Sequence, residues 1–479
     1  MYEPVIGLEI HAQLLTESKI FCGCSTAFGA SPNTHVCPVC LGLPGALPVL
    51  NRRAVEYGVR AALALNCDVA ATSVFARKNY FYPDLPKGYQ ISQYDQPLAL
   101  NGFLEYESSG VHTRVGIIRA HLEEDAGKSL HEGFGDSATH SYVDFNRSGV
   151  PLIEIVTHPD LRSAAQAAEF FERLRAILVE IGVNDGNMEE GSLRCDANVS
   201  VRRAGDRALG TKTELKNLNS FRYLEKALDH EIARHSALIE AGERVVHETR
   251  LWDTATGRTV AMRSKEEAHD YRYFPEPDLP PLVVSTQTVD SIRRALPELP
   301  EARKHRLAAQ YGIPDYDAGI LAASRALSRY YEATVAAGAG PRSASNWVLG
   351  EVLRKTKDAG IDVAQMPIAP AQLAGLVALV DRGTISGTIG KEVFEKMCAT
   401  GRSADAIVES DGLAQISDQA ALEAIVRDVL AAHAGPVEQY RAGKTKTFGF
   451  LVGQVMKATG GKGNPALINE IVKRALEEG

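Results

Sequence analysis

The chain has 479 residues, a formal net charge of −8, 45% hydrophobic residues and 23% charged residues. This length exceeds what one hydrophobic core organises, so two or three domains are expected. The negative balance excludes a general polyanion-binding protein, and the absence of both an 18-residue apolar run and a basic leader predicts a cytoplasmic chain that does not enter a membrane.

The first 280 or so residues alternate short predicted strands with a few predicted helices. Alternating polarity indicates the strands, and apolar residues at helical spacing indicate the helices. The predicted strands are Val5–Gln13, Thr72–Lys78, Val115–Arg119 and Ser192–Arg202, and the predicted helices are Leu161–Ile181 and Phe221–Ala241. Asp160 stands at the expected N-cap of the first helix, and Gly182 stands at its expected end.

A proline cluster at Pro275–Pro281 marks the end of this region, since prolines continue neither a helix nor a central strand. The chain is then Ala- and Leu-rich and predicted to be helical from about residue 290, with breaks at Ala336–Pro341 and Ala399–Ser403. The prediction is therefore an α+β protein: a β-rich cradle domain with flanking helices at 1–290, an all-α domain at 291–404, and a small α-helical tail domain at 405–479.

Four of the seven cysteines, Cys22, Cys24, Cys37 and Cys40, fall within nineteen residues. Two close cysteine pairs joined by a short loop are typical of a tetrahedral zinc site in a cytosolic chain. Four thiolates close the coordination sphere, so the predicted zinc braces the loop 20–45 and performs no chemistry. A redox pair or unligated cysteines are the alternatives.

Four potential metal ligands, His121, Glu123, Glu124 and Asp125, lie within five residues. At strand spacing His121, Glu123 and Asp125 share one face, with Glu124 on the other face unless the chain turns there. Carboxylates packed so densely repel one another unless a cation neutralises them, and their hard oxygens favour Mg²⁺ shared with substrate phosphates.

The first predicted strand repeats this pattern, with Glu9, His11 and Gln13 on one face and apolar residues on the other. A solvated charged face is the alternative for both segments. The acids interleave with Ile and Leu at strand spacing instead of forming a polar run, which favours a site.

Three further segments carry dense polar residues at strand spacing: Ser192–Ser200, Thr211–Asn217, and Asp270–Asp278 with its arginine between two tyrosines. Cations that hold phosphate oxygens beside acids that hold a metal are what a nucleotide cradle requires. Cross-strand ion pairs on a solvated sheet are the alternative. Neither a P-loop nor a Gly-x-Gly-x-x-Gly motif after a strand occurs, so those two nucleotide-binding routes are excluded.

The end of the chain is locally basic. Residues 440–479 contain seven basic and three acidic residues, a net charge of +4. Lys444, Lys446 and Lys462 stand in Gly-containing loops, where side chains reach a phosphate backbone. RNA contact is therefore predicted, with a solvated helix surface as the alternative.

Taken together, these motifs resemble one family, the B subunit of the bacterial aspartyl/glutamyl-tRNA(Asn/Gln) amidotransferase. The resemblance covers essentially the whole chain. It is carried by Gly7–His11, Pro38–Gly45, Arg77–Pro86, Tyr89–Gln93, His121–Lys128, Asn146–Pro151, Met188–Ser200, Lys216–Phe221, Asp270–Leu279, Gly383–Gly387 and the basic tail around Lys444.

The resemblance implies that ATP activates the side-chain carboxylate of misacylated Glu-tRNA(Gln) or Asp-tRNA(Asn) and that ammonia then forms the amide. It also implies two partners, an amidase (A) subunit that releases ammonia from glutamine and a small C subunit. A ligase of this kind needs positioning and charge neutralisation more than a protein nucleophile. The sequence agrees, because it shows acids and cations but no serine-lysine amidase signature.

By analogy with the family, Glu9, His11 and Glu124 are the best catalytic and Mg²⁺-binding candidates, followed by Glu123 and Asp125. Chemistry rather than resemblance assigns the candidate phosphate contacts, which are Lys78, Arg194, Lys212 and Lys216. Tyr80, Tyr82 and Tyr89 are candidates for stacking on the tRNA end, with packing on the core as the alternative.

Two other functions fit parts of the sequence. One is a zinc-bearing tRNA-binding module without chemistry, which the acidic strands disfavour because they repel phosphate unless they hold Mg²⁺. The other is a free-standing ligase that takes ammonia directly. Whether Gln-tRNA, Asn-tRNA or both are made depends on the misacylated tRNAs of the host.

Overall fold

A computed structural model describes residues 2–108, 111–130, 136, 139–264, 270–414, 419–460 and 462–478. The chain divides into two compact units, Met1–Leu299 and Pro300–Gly479. The first holds a large sheet with helices and the second is helical, which confirms the α+β prediction. Within the described residues, no helix has the length and apolar character needed to cross a bilayer.

The first unit is built on one long, mostly antiparallel sheet. Its strands in chain order are β1 Tyr2–Gln13, β2 Asp68–Val69, β3 Thr72–Ser73, β4 Phe75–Asn79, β5 Tyr89–Gln93, β6 Ala99–Ser108, β7 Val111–Glu124, β8 Lys128–Leu130, β9 Tyr142–Asp144, β10 Pro151–Thr157, β11 Leu193–Arg203, β12 Thr213–Lys216, β13 Glu248–Asp253, β14 Arg258–Ser264, β15 Phe274–Pro275 and β16 Leu282–Val283. Among the described residues the large sheet has the order β14-β13-β12-β11-β1-β10-β7-β6-β2, and smaller sheets join β15-β4-β5, β16-β3 and β8-β9.

In the described part of the first unit, four helices accompany these strands: α1 Arg52–Ala64, α2 Ala164–Glu180, α3 Phe221–Glu240 and α4 Thr286–Ala295. Along β1 the apolar residues Leu8, Ile10 and Ala12 are buried, and they share one core with apolar residues of α1, α2 and α3. Because side chains alternate along a strand, Glu9 and His11 project to the opposite face. The polar side chains of the central strands thus lie on the sheet face opposite the core, where they can form a binding site.

The predicted elements are mostly confirmed, with local corrections. The first predicted helix begins at Ala164 and not near Leu161, because Ser163 is its N-cap and accepts a hydrogen bond from the Gln166 amide. Asp160 does not cap it, since its carboxylate accepts from the Gly116 amide at 2.9 Å. Gly182, at φ +69°, follows the helix as predicted.

Three segments with strand spacing are shorter or divided in the structure. Of Asp270–Asp278, only Phe274–Pro275 forms a strand. The segment from Thr72 divides into β3 and β4 at Val74, whose amide bonds instead to the Gln96 carbonyl. The strand β12 begins only at Thr213, so Lys212 precedes it and does not share a strand face with Lys216.

The second unit is helical, as predicted. Its helices are α5 Pro300–Tyr311, α6 Asp315–Ala322, α7 Arg325–Ala336, α8 Pro341–Trp347, α9 Leu353–Ala359, α10 Pro370–Asp381, α11 Gly387–Thr400, α12 Ala404–Ser410, α13 Gln419–Ala432, α14 Ala434–Arg441, α15 Thr447–Ala458 and α16 Pro465–Glu478, with a π-helical turn at Val348–Val352 and a 3₁₀ turn at Val363–Gln365. Each predicted break contains a junction between two helices. The buried apolar residues that the structure describes there form two clusters, one from Leu307 to Val408 and one from Leu422 to Leu476.

Candidate functional site

The register of three central strands brings distant polar residues into one row. In the pairing of β1 with β10, His11 stands opposite Glu154, and in the pairing of β10 with β7, Glu154 stands opposite His121. The Nε2 atoms of His11 and His121 lie 3.4 Å and 3.5 Å from the same oxygen of Glu154. Strand register therefore creates a histidine-carboxylate-histidine row.

Glu123 completes this group, which we call the histidine–carboxylate cluster: His11, His121, Glu123 and Glu154. The carboxylate of Glu123 lies 3.8 Å from His11 Nε2 and 3.7 Å from His121 Nε2, and it accepts a hydrogen bond from Ser92 Oγ. His11, Glu123 and Glu154 each offer a ligand atom, all within 4.8 Å of one another, so they could hold one metal ion. Two carboxylates with imidazole suit a divalent cation.

The electrostatics of the cluster keep Glu154 charged. Burial alone would raise the pKa of Glu154, but the neighbouring His121 and His11 hold it well below its ordinary value. Burial alone would lower the pKa of His11, yet the hydrogen bond to Glu154 and the charges of Glu154 and Glu123 raise it. The cluster thus favours a positive partner between its carboxylates, either a protonated imidazole or a cation.

Glu9 lies beside the cluster in a second group of acids. Its carboxylate accepts from Asn198 Nδ2 at 3.0 Å, and its pKa is raised by burial and by Glu154 and Glu214. Lys216 sits among these acids, with Nζ 3.2 Å from Asp196 and 3.5 Å from Glu214. Lys216 therefore neutralises acids on the sheet face.

Glu124 and Asp125 do not join the cluster, as the strand ends at Glu124. On the other face, the Glu124 carboxylate accepts from Lys87 and from the Ile91 amide. It also borders a cavity of about 210 Å³. Asp125 accepts from the Arg194 guanidinium at 3.0 Å. Of the five predicted magnesium ligands, the structure brings together His11 and Glu123, while the role of Glu9, Glu124 and Asp125 stays a prediction.

The groups around Asp125 stabilise its ionised form. Burial alone would raise its pKa, but Arg194 and Arg147 outweigh burial and lower it, and Gln13 donates a further hydrogen bond at 2.8 Å. The predicted phosphate contact Arg194 is therefore already paired with a carboxylate, which makes it a fixed charge of the sheet face.

The remaining predicted phosphate contacts differ in their surroundings. The Lys78 ammonium lies 4.8 Å from the ring centre of Tyr271 and 5.8 Å from that of Tyr80, and its charge helps to lower the pKa of Glu154. Lys212 is exposed just before β12. Lys78 is thus the predicted cation that faces the cluster without being held by a carboxylate in the described structure.

The three predicted tyrosines have three different surroundings. Tyr80 packs edge to face on Tyr271, with ring centres 5.9 Å apart. Tyr89 lies under the Arg77 guanidinium, 4.3 Å from its ring centre. Tyr82 is 58% exposed. Packing therefore accounts for Tyr80 and Tyr89 in part, while Tyr82 remains open for contact.

The four predicted cysteines converge. Their sulfur atoms all lie within 4.8 Å of one another, and Cys37 Sγ and Cys40 Sγ are 3.9 Å apart, close to the sulfur spacing of a tetrahedral zinc site. The interaction with Cys22, followed by the Cys37 backbone and Lys19, holds the pKa of Cys40 below its usual value, while the interaction with Cys40 and burial raise the pKa of Cys22. These four cysteines could hold one metal ion.

The basic tail contains the three predicted RNA-contacting lysines and a cavity lined in part by arginines. Lys444 and Lys446 are exposed between α14 and α15, and Lys462 is half-buried before α16. A cavity of about 650 Å³ lies between α13, α14 and α16, and its lining includes Arg427, Arg441 and Arg474. Sequence reasoning did not single out these arginines as a group.

Glu154 is the site residue that sequence reasoning missed. Its signal is a single acid between Ile153 and Ile155 in an otherwise apolar strand, where a charged residue is rarely buried without a partner. His121 stood among the potential ligands but outside the final ligand set. Their convergence depends on strand register, which local patterns do not reveal.

Comparison with known proteins identifies the family of the chain. Residues 4–290 match the family model of the GatB/GatE catalytic domain, and residues 329–476 match that of the GatB domain. Relatives named as the B subunit of aspartyl/glutamyl-tRNA(Asn/Gln) amidotransferase are 55% identical over 476 residues in Geobacter sulfurreducens, 56% over 475 in Myxococcus xanthus and 57% over 479 in Anaeromyxobacter sp.. These alignments cover 99% of this chain and 98–99% of each relative. The chain therefore belongs to the family of the B subunit of aspartyl/glutamyl-tRNA(Asn/Gln) amidotransferase.

Proposed function

We propose that the chain carries the site at which ATP activates, and ammonia then amidates, the side-chain carboxylate of Glu-tRNA(Gln), Asp-tRNA(Asn) or both. The observation that carries this proposal is the histidine–carboxylate cluster on the polar sheet face of a member of this family. Its partners are an amidase (A) subunit and a small C subunit, in the reduced cytoplasm. The cradle 1–290, linker 291–404 and tail 405–479 are the proposed domains.

The chemistry follows from the poor reactivity of a carboxylate. A side-chain oxygen attacks the terminal phosphorus of ATP, ADP leaves, and the carboxylate becomes an acyl phosphate. Ammonia then attacks the acyl carbon, phosphate leaves with the transferred oxygen, and a proton is released as the amide forms. Such a sequence requires positioning and neutralisation of charge rather than a nucleophile on the protein.

The two buried carboxylates of the cluster fit a magnesium ion, which prefers oxygen ligands, and the imidazole of His11 adds a nitrogen donor beside them. His11, Glu123 and Glu154 would hold it. Glu9, Glu124 and Asp125 stay predicted magnesium ligands, although Glu124 and Asp125 lie outside the cluster in this structure. When bound, Mg²⁺ would neutralise charge on the phosphates of ATP.

The chain's own cations would hold the phosphates. Lys78 is the best placed, because its charge already acts on Glu154 and no carboxylate binds it in the described structure. Lys212 is free to reach a phosphate from its exposed position. Arg194 and Lys216 are held by acids, so their proposed phosphate contacts would be shared with Asp125 and Asp196.

Two further sites belong to the proposal. Cys22, Cys24, Cys37 and Cys40 hold a structural zinc ion, since the sulfur spacing suits a tetrahedral site. In the tail domain, tRNA phosphates are contacted by Lys444, Lys446 and Lys462. In the first unit, the path of the tRNA end is lined by Tyr80, Tyr82 and Tyr89.

The test is ATP consumption and amide formation by the chain assembled with its two partner subunits. Misacylated tRNA should stimulate ADP release, and amide formation should require glutamine and the amidase subunit. A tRNA-binding module without chemistry would show no tRNA-stimulated ADP release. A free-standing ligase would reach its full rate with ammonium salts and no partner. Assays with each misacylated tRNA separately would show whether Gln-tRNA, Asn-tRNA or both are made.

A further inference from the structure

The segment 270–278, with an arginine between two tyrosines, contributes none of the residues assigned to the proposed function. It is firmly attached to the first unit. Phe274 and Pro275 pair with β4, and the Arg77 guanidinium donates two hydrogen bonds to Glu276 at 2.7 Å and 2.8 Å. A segment fixed in this way presents its side chains in one arrangement.

Arg272 adopts a backbone conformation that an arginine rarely takes. Its φ is +44°, in the left-handed region that favours glycine. Asn79 holds this turn, since its side chain donates to the Arg272 carbonyl at 2.8 Å and its amide donates to the Tyr271 carbonyl at 3.0 Å. Strained residues that the surrounding structure maintains cluster at functional sites.

The side chain of Arg272 gives no structural reason for this strain. It is exposed, and in the described parts of the chain its guanidinium has no hydrogen-bond or ion-pair partner. A glycine or asparagine would occupy the same backbone position at lower cost. The arginine is therefore better explained by a partner that the chain alone does not supply.

Four aromatic rings, which we call the tyrosine row, run beside this turn: Tyr80, Tyr271, Tyr273 and Tyr94. The first three meet edge to face, with ring centres 5.9 Å and 6.0 Å apart. Tyr273 and Tyr94 stack in parallel, with ring centres 4.1 Å apart and planes inclined by 5°. Tyr94 is still 51% exposed, so the row ends in an open aromatic surface.

The row also lies near the histidine–carboxylate cluster. Burial and then the charge of Glu123 raise the pKa of Tyr80, and burial, Glu123 and Glu154 raise that of Tyr273. The Lys78 ammonium lies over Tyr271. A row of rings that is open to solvent at Tyr94, with cations beside it and a charged cluster nearby, matches how proteins bind unpaired nucleotides.

We propose that Tyr94 and Tyr273 form a stacking platform for the unpaired 3′-terminal nucleotides of the aminoacyl-tRNA, and that Arg272 contacts a phosphate of the same nucleotides. This inference rests on the proposed function and specifies how its substrate enters. The amino acid is attached to the last nucleotide, so bases held along the row would direct its carboxylate toward the cluster. The adenine and phosphates of ATP share this chemistry, but the open, solvent-facing end of the row favours the RNA end.

The test compares two tRNA(Gln) transcripts, one complete and one without its unpaired 3′ nucleotides, binding to the full-length chain without ATP. The wild-type chain should bind the complete transcript about tenfold or more tightly, the effect of one or more stacked bases. Tyr94→Ala and Tyr273→Leu should each remove most of this advantage and leave the affinity for the shortened transcript unchanged. Tyr316→Ala is the matched control, since Tyr316 is an exposed tyrosine (78%) of the second unit.

Arg272→Gly separates charge from backbone strain. Glycine accepts the positive φ, so the melting temperature should equal or exceed that of the wild-type chain. The affinity for the complete transcript should nevertheless fall, and the slope of log affinity against log salt should decrease by about one. A variant that binds as the wild-type chain does, with the same salt slope, would remove Arg272 from the proposal.

Two outcomes would overturn the platform. One is a wild-type chain that binds both transcripts equally well. The other is that the tyrosine variants lose ATP binding while they keep the advantage for the complete transcript, which would assign the rings to the adenine of ATP. Failure of the proposed function would look different: the preference for the complete 3′ end would persist, and the assembled complex would form no amide with ATP.

Discussion

Replacing Glu154 by glutamine tests the cluster at its centre. Glutamine has nearly the same shape, so the strand β10 should keep its packing between β1 and β7, but the charge shared by His11 and His121 disappears. The two Nε2 atoms lie 3.4 Å and 3.5 Å from one Glu154 oxygen. At an effective dielectric constant of about 20, a unit-charge pair at that spacing attracts by about 5 kcal/mol before desolvation is subtracted.

The expected effect on activity is larger than that on folding. The buried carboxylate loses its desolvation cost along with its attraction. Its closest partners are imidazoles, which, unlike a guanidinium, can be neutral near pH 7 and then leave no unpaired buried charge, so the free energy of unfolding should change by only about 1 kcal/mol. A site that loses a metal-binding carboxylate should lose about 3 kcal/mol of transition-state stabilisation, a rate reduction on the order of 100-fold.

The assay combines two measurements on the assembled complex, tRNA-stimulated ADP release and calorimetric titration with Mg²⁺ or Mn²⁺. Both should be weakened in Glu154→Gln. The control is Glu105→Gln, which removes the same charge from an exposed ion pair with Arg114 and should behave as the wild-type chain. Normal cation binding and normal ADP release by the Glu154 variant would refute the assignment of the cluster as the metal site.

Three further predictions concern other parts of the chain. Cys37→Ser should reduce bound zinc, measured by elemental analysis, to near zero, and one retained equivalent would contradict a four-cysteine site. Neutralising Lys444, Lys446 and Lys462 together should lower the slope of log tRNA affinity against log salt by about three. The glutaminase activity of the assembled complex, measured without tRNA, should not change. An unaltered slope would mean that these lysines form only a solvated surface. Glu231 is fully buried, and burial raises its pKa, but hydrogen bonds from His235 and Arg234 outweigh burial and hold that pKa below its usual value. Its contribution to stability is therefore present above the pKa of the unfolded state and is lost as the pH falls through the pKa of the folded state. Glu231→Gln should therefore cost about 3–5 kcal/mol at neutral pH and make acid unfolding, followed by circular dichroism, less steep, while unchanged stability would contradict the buried network.

Local patterns were sufficient to predict several features of the site. The period of two along β1 placed Glu9, His11 and Gln13 on one face, because the opposite face had to be buried. The same rule placed Glu123 with His121 and Glu124 on the opposite side. The cysteine pairs were predictable because their spacing in the sequence is itself the signal of a shared metal.

What local patterns could not predict depends on pairing between distant strands. Glu154 joins His11 and His121 through the register of β10 with β1 and β7, over sequence separations that no periodicity reports. Local patterns likewise do not predict the hydrogen-bond partner of Arg194, which the structure shows to be Asp125. The first-helix cap was misassigned to Asp160 because Asp160 and Ser163 are both good caps and only tertiary contacts distinguish them.

The most direct test of the central claim follows one oxygen atom. Glu-tRNA(Gln) is prepared with ¹⁸O in both side-chain carboxylate oxygens and is amidated by the assembled complex with ATP and glutamine. If ATP activates that carboxylate, each amide formed should release one phosphate carrying one ¹⁸O, and the amide should keep the other. Phosphate released without ¹⁸O would show that the carboxylate is not phosphorylated and would contradict the proposed function.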